Sequence, residues 1–161
     1  NYLNFHFRYY IVVSIKFLFI WYYLLMHKNF THNVKVYYED TDAGGVVYYA
    51  NYLKYLERAR TEALSTIGLS NTKIKNDFGA LIIVKSCNIE YKKSAYLEDD
   101  LQIKSFVDST SKTSFLMNQS IFKDEELIVE AKIHLVFINE KFKPVKIPEK
   151  ILLDFKPYTS S

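Results

Sequence analysis

Residues Val36 to Leu64 read VYYEDTDAGGVVYYANYLKYLERARTEAL, and the succession of patterns inside this stretch decides the fold. Where it begins, Asn33 to Glu39 (NVKVYYE) alternates Val34, Val36 and Tyr38 with Lys35, Tyr37 and Glu39, the period of a strand with one buried face. The polar run Asp40 to Gly45 (DTDAGG) ends that strand, because Gly44 and Gly45 allow backbone angles that other residues avoid. A helix follows. From Tyr52 onward, Tyr52, Leu56, Ala59, Ala63 and Ile67 share one helical stripe, while Lys54, Glu57, Arg58, Thr61 and Glu62 occupy the other faces. Asn51 is the expected N-cap and Gly68 the expected C-terminal stop.

Beyond the helix, Ser70 to Phe78 reads as a short connection. Four strands come next: Ala80 to Lys92, Leu101 to Ser109, Thr113 to Lys123 and Leu127 to Asn139. The last is the clearest, with Leu127, Val129, Ala131, Ile133, Leu135 and Phe137 on one face and Glu130, Lys132 and His134 on the other. The tail from Pro148, PEKILLDF, predicts one short helix with proline in its first turn. One strand, one long helix and four strands joined by polar turns make an α+β pattern, not βαβ alternation. A five-stranded antiparallel sheet then has one apolar face to cover, and the only long amphipathic element is the helix near Tyr52 to Ile67. The sheet is expected to wrap around it.

The chain has 161 residues, 49% hydrophobic and 24% charged, the size and balance of a single domain. A net charge of +3 is too small and too scattered for a nucleic-acid footprint. Cys87 is the one cysteine, which excludes a disulfide scaffold, and no Cys/His spacing suits a structural zinc. Both facts favour a reducing, cytoplasmic setting. Residues 1–25 differ sharply, holding 10 of the 27 aromatic residues and no acid. From Tyr9 to Met26 only Lys16 is charged, approaching the ~20 apolar residues that cross a bilayer. The mid-run lysine and the lack of a small-residue cleavage site weigh against an anchor or a signal peptide. Since the first Met is Met26, the expectation is an apolar extension over 1–25, non-native or else a membrane anchor, followed by the domain over 26–161.

The stretch from Val36 to Leu64 resembles the signature of hot-dog-fold acyl-CoA thioesterases of the 4-hydroxybenzoyl-CoA thioesterase family, most of all the YbgC-like, Tol-Pal-associated branch. The strand succession after it agrees, so the resemblance runs from Met26 to the tail. It implies a hot-dog fold, hydrolysis of acyl-CoA or acyl carrier protein thioesters without metal or organic cofactor, and a homodimer or homotetramer with active sites at the dimer interface. It maps the family's catalytic carboxylate, the second Asp of the D-x-D-x-x-G loop, onto Asp42. It also points to the Tyr49 amide as the main oxyanion donor. Many members of the branch carry histidine where this chain has Tyr49, which leaves a backbone oxyanion site intact but removes any role for an imidazole there.

The residues support that chemistry on their own terms. Thioester hydrolysis needs a group that attacks, or activates water, at the acyl carbon, and donors for the oxyanion that forms. Asp42 can do the first, by either route. The free amides of a helix N-terminus can do the second, and Val46 to Asn51 lies where they should be. Val47, Tyr48 and Tyr38 are the expected substrate-binding neighbours, with Tyr38 on the buried strand face either in the core or lining an acyl pocket. Arg60, Lys85, Lys92 and Lys93 are candidate partners for the CoA phosphates.

Each group also has a plainer reading. Asp beside Gly commonly makes Asx-turn hydrogen bonds, and that reading is kept for Asp40. Cys87 alternates with Ile89 and Tyr91, which predicts a small core residue, and His134 reads as structural or exposed. Asp40-Thr41-Asp42 after a strand suggests a haloacid-dehalogenase-type nucleophile loop, but that chemistry needs Mg²⁺ and a parallel α/β sheet. A hot-dog dehydratase would need a His–acid motif that His27, His32 and His134 do not form. The remaining alternative is a non-catalytic acyl-CoA or acyl-carrier-binding protein on the same fold.

Overall fold

The computed structural model describes residues 28–160. The expectations placed on 1–25 therefore lie outside the described residues. Strand β1 (Phe30–Lys35) leads through a 3-10 turn (Tyr38–Asp40) and the DTDAGG loop to helix α1 (Asn51–Thr66). Helix α2 (Asn71–Phe78), strands β2 (Leu81–Tyr91), β3 (Asp100–Thr110), β4 (Ser114–Lys123) and β5 (Glu126–Ile138), and helix α3 (Glu149–Phe155) follow. The five strands form one sheet in the order β1-β3-β4-β5-β2, antiparallel throughout. This is the α+β, sheet-on-helix architecture expected from the sequence. Among the described residues, no helix is long and apolar enough to cross a membrane.

The core lies between α1 and the sheet. Helix α1 buries Tyr52, Tyr55, Leu56, Ala59, Ala63 and Leu64, one turn-to-turn stripe, against Leu101, Ile103 and Val107 of β3 and Met117 and Ile121 of β4. Two polar side chains, Gln119 and Ser105, sit together in this apolar layer. Gln119, fully buried on β4, donates to the Leu56 carbonyl at 3.1 Å and to Ser105 Oγ at 2.9 Å, which satisfies an amide that would otherwise be costly to bury. Gly68, at φ 71°, ends α1 as expected: its own amide donates to the Ser65 carbonyl, and its left-handed conformation lets the Leu69 amide fold back onto the Leu64 carbonyl.

Several expectations are corrected. The first strand stops at Lys35, not near Asp40, because the Asp40 carboxylate accepts the Tyr37 amide at 2.9 Å and closes a 3-10 turn. The turn abolishes the alternation. Val36 stays buried but Tyr38 swings outward and is 80% exposed, so it is neither core nor buried pocket wall. The Ser70 to Phe78 connection is a helix: Ser70 Oγ caps it by accepting the Lys73 amide at 3.1 Å, and Gly79 closes it at φ 61°. Cys87 is exposed, since β2 is an edge strand and α1 packs over β1 and β3 at the other side of the sheet. Leu127 is only partly buried. A bulge puts Ile128 between the pairs Ile121–Val129 and Phe122–Leu127, shifting the strand's alternation by one residue.

Ile74 shows that α2 belongs to the core. Its side chain is fully buried, so Ile74→Ala should lower unfolding free energy by about 2–5 kcal/mol, measured by denaturant titration. A loss below about 1 kcal/mol would mean that α2 is peripheral.

Candidate active site

The loop between the 3-10 turn and α1 is a miniature hairpin. The Asp42 amide donates to the Val46 carbonyl at 2.9 Å, and the Gly45 amide donates back to the Asp42 carbonyl at 3.0 Å. Gly45 holds φ 75°, a conformation that excludes ordinary side chains at little cost to glycine. The Gly44 amide donates to Asp42 Oδ1 at 2.8 Å, which fixes the carboxylate in an Asx turn. Oδ2 accepts nothing among the described residues, and the side chain is exposed. One carboxylate oxygen is thus anchored while the other is free.

Backbone bonds then tie this loop to the start of α1. The Asp40 carbonyl accepts both the Tyr48 amide at 2.8 Å and the Asn51 Nδ2 amide at 2.9 Å. Asn51 is therefore not the N-cap: Ala50 holds that position, and the buried Asn51 side chain reaches back to the loop. The Val47 amide is spent on the Ala95 carbonyl at 2.8 Å and its side chain lies in the core. The Tyr48 carbonyl accepts the Asn51 amide at 2.8 Å. Between these commitments, the amides of Tyr49 and Ala50 donate to no described residue. They stand at the positive end of α1, as an oxyanion site requires.

Tyrosines surround the free amides. The rings of Tyr48 and Tyr49, both exposed, meet at 4.6 Å between centroids. The Tyr48 hydroxyl titrates above its ordinary range, chiefly through the neighbouring Tyr49 hydroxyl and, to a smaller extent, through the negative charge of Asp42. Tyr91, the last residue of β2, donates its hydroxyl to the Tyr49 carbonyl at 3.2 Å. Deeper in, Tyr55 is fully buried beneath the loop and its phenol is pushed far up, first by burial and then by the adjacent Asp40 carboxylate.

The expected basic residues are differently placed. Arg60 is drawn inward: it donates from Nη1 to Gln119 Oε1 at 2.8 Å, and burial lowers its pKa. It lines a cavity of about 150 Å³ with Glu57, Leu64, Ile82, Met117 and Phe155, so it is not part of a basic surface. Lys92 pairs with Glu90 at 2.8 Å and Glu130 at 3.5 Å, and Lys93 pairs with Glu126. Those carboxylates neutralise both lysines locally. Lys85 sits exposed at the bulge of β2, with no ion pair among the described residues. No group of three or more His, Cys, Asp or Glu side chains among the described residues is placed to hold a metal ion.

A model of the thioesterase-like superfamily matches residues 36–155, from the end of the first strand to the last helix. The chain belongs to that superfamily. It is 40% identical over 125 residues to the acyl-CoA thioester hydrolase YbgC of Escherichia coli O6:H1, spanning 76% of this chain and 92% of that one. It is 33% identical over 132 residues to the acyl-CoA thioesterase YbgC of Haemophilus influenzae, spanning 81% and 97%. Among solved structures, a probable thioesterase from Bartonella henselae matches with a TM-score of 0.73 and 32% identity, over 75% of this chain and all of that one (100%). Slr0204 of Synechocystis, a 1,4-dihydroxy-2-naphthoyl-CoA thioesterase, matches with a TM-score of 0.74 and 25% identity, over 80% and 96%. The YbgC-like, hot-dog reading of the sequence therefore holds.

Proposed function

We propose that this chain is an acyl-CoA thioesterase that uses Asp42 as its catalytic carboxylate and the Tyr49 amide as its principal oxyanion donor. The observation that carries this reading is the pairing of a free carboxylate oxygen with free amides at the start of α1, on two segments locked together through the Asp40 carbonyl. The substrate carbonyl oxygen, accepting from the Tyr49 amide, gains charge as its carbon is attacked. Such a donor typically contributes about 2.7–4 kcal/mol to the transition state. Asp42 Oδ2 either takes a proton from the attacking water or attacks the acyl carbon itself, giving an anhydride that water then opens. By both routes the C–S bond breaks, the thiol leaves with a proton, and the acyl group departs as the free acid. Acyl-CoA, rather than acyl carrier protein, is the substrate that the names of the YbgC relatives favour.

A homodimer completes the reading, assembled along β2. This strand is an 11-residue free edge, with Ile83 39%, Val84 47% and Tyr91 43% exposed. An open apolar edge is an aggregation liability that pairing with a second copy removes. The exposed Tyr48 and Tyr49 beside the end of β2 would then be covered from the partner side. The lone exposed Cys87 fits a reducing compartment, consistent with a cytoplasmic enzyme.

The test is a panel of acyl-CoAs of graded chain length and aryl type, with released thiol measured. Cleavage of at least one is expected. Tight binding of acyl-CoA without thiol release would instead favour the non-catalytic acyl-binding reading, in which the Gly44 bond to Asp42 is all that the carboxylate does.

A further inference from the structure

Resting on the oxyanion reading above, we infer that Tyr91 is a positioning residue that aims a second donor, the Ala50 amide, at the same site. The peptide between Tyr49 and Ala50 is planar and trans, so its C=O and N–H point in opposite directions. Whatever holds the carbonyl oxygen also sets the direction of the N–H. The helical ladder does not hold it, because the first turn of α1 begins with the Leu53 amide on the Ala50 carbonyl at 3.2 Å. The Tyr91 hydroxyl does, donating to the Tyr49 oxygen at 3.2 Å from the end of β2. The Ala50 N–H therefore faces away from β2 and donates to no described residue. The preceding peptide is fixed in the same manner by a different group: the Tyr48 carbonyl accepts the Asn51 amide at 2.8 Å, which sets the direction of the Tyr49 N–H.

Tyr91 is itself well anchored. Its ring stands edge-on to Tyr49 at 6.3 Å and packs at 5.7 Å on Tyr52, and the Tyr52 hydroxyl accepts the Ala95 amide at 2.9 Å. Ala95 in turn accepts the Val47 amide through its carbonyl at 2.8 Å. Tyr91, Tyr52 and the Ala95 backbone thus form one frame around the start of α1. An oxyanion donor acts through its alignment before the reaction begins, so a hydroxyl that touches no substrate can still set kcat.

The experiment compares the full-length wild type with Tyr91→Phe, Tyr91→His and Tyr96→Phe, using whichever acyl-CoA the wild type cleaves best. Tyr91→Phe keeps the ring packing and deletes only the donor. Its kcat should fall by about three- to tenfold with KM little changed, in line with one lost neutral hydrogen bond. The melting temperature should stay within about 2 °C of wild type, so the change reads as alignment and not as folding. Tyr91→His, whose ring N–H can donate, should recover part of the lost kcat, and Tyr96→Phe should match wild type. Unchanged kcat in a folded Tyr91→Phe, or a raised KM at constant kcat, overturns the inference. Equal losses in the Phe and His variants overturn it too, by showing that the donor is not what matters. If the wild type cleaves no acyl-CoA at all, it is the thioesterase reading that fails, a result separable from either.

Discussion

Asp42→Asn should lower kcat by at least ~10²-fold with little change in KM, the signature of losing a general base or nucleophile while binding persists. The fold predicts a clean experiment. Asn retains an Oδ1 acceptor for the Gly44 amide, so the Asx turn and the loop's approach to α1 should survive. Any side chain at position 44 would crowd that acceptor, since a Cβ built there would come within 3.1 Å of Asp42 Oδ1. Only the charge and basicity of the free oxygen are lost. Asp40→Asn is the matched control: its carboxylate accepts the Tyr37 amide and its carbonyl holds the helix start, a structural role that an amide largely reproduces, so the loss should be far smaller. The measurement is thiol release at saturating and limiting acyl-CoA. Near-normal kcat in a folded Asp42→Asn would assign the carboxylate to the turn alone. In single turnover in ¹⁸O-water, label in the protein identifies an anhydride opened at the Asp42 carboxyl carbon, a result that direct attack by water cannot give.

Ile83→Asp should break the proposed dimer. Along β2, paired with its own copy about a two-fold axis, each substitution acts twice, and each one buries an unpaired carboxylate at an edge otherwise lined by Val84 and Tyr91. The dimer dissociation constant should rise by at least ~10²-fold, as for an uncompensated charge buried at an interface. Sedimentation equilibrium reads this directly. Ile83 is 39% exposed, so its replacement should leave the monomer folded, which a melting curve checks. Thiol release per chain should fall in step with the monomer fraction if the site is shared between copies. A folded monomer that keeps the full kcat would show that each chain carries a complete site and that β2 serves another purpose.

The stretch from Val36 to Leu64 was enough, by itself, to show the loop carrying Asp42, the helix that follows it with most of its buried stripe, and the family resemblance. These are local properties: a helical period, a glycine-bearing break and a contiguous motif survive whatever the rest of the chain does. The edges of the elements were less legible for an equally physical reason. Alternation from Asn33 to Glu39 carried the strand too far, because the bond from the Tyr37 amide to Asp40 competes with the sheet and turns Tyr38 out. Alternation around Cys87 indicated a buried face, but burial depends on what lies over a strand, and only the sheet order shows that β2 is a rim strand. The cap at Ser70 and the stop at Gly79 were visible signals of α2, masked by its short length and polar composition. The site's framework was out of reach of sequence. Asn51 meets the Asp40 carbonyl across 11 residues, Arg60 meets Gln119 across 59, and Tyr91 meets the Tyr49 carbonyl across 42. No periodicity encodes such pairs, because the distances between them exist only once the sheet has closed over α1.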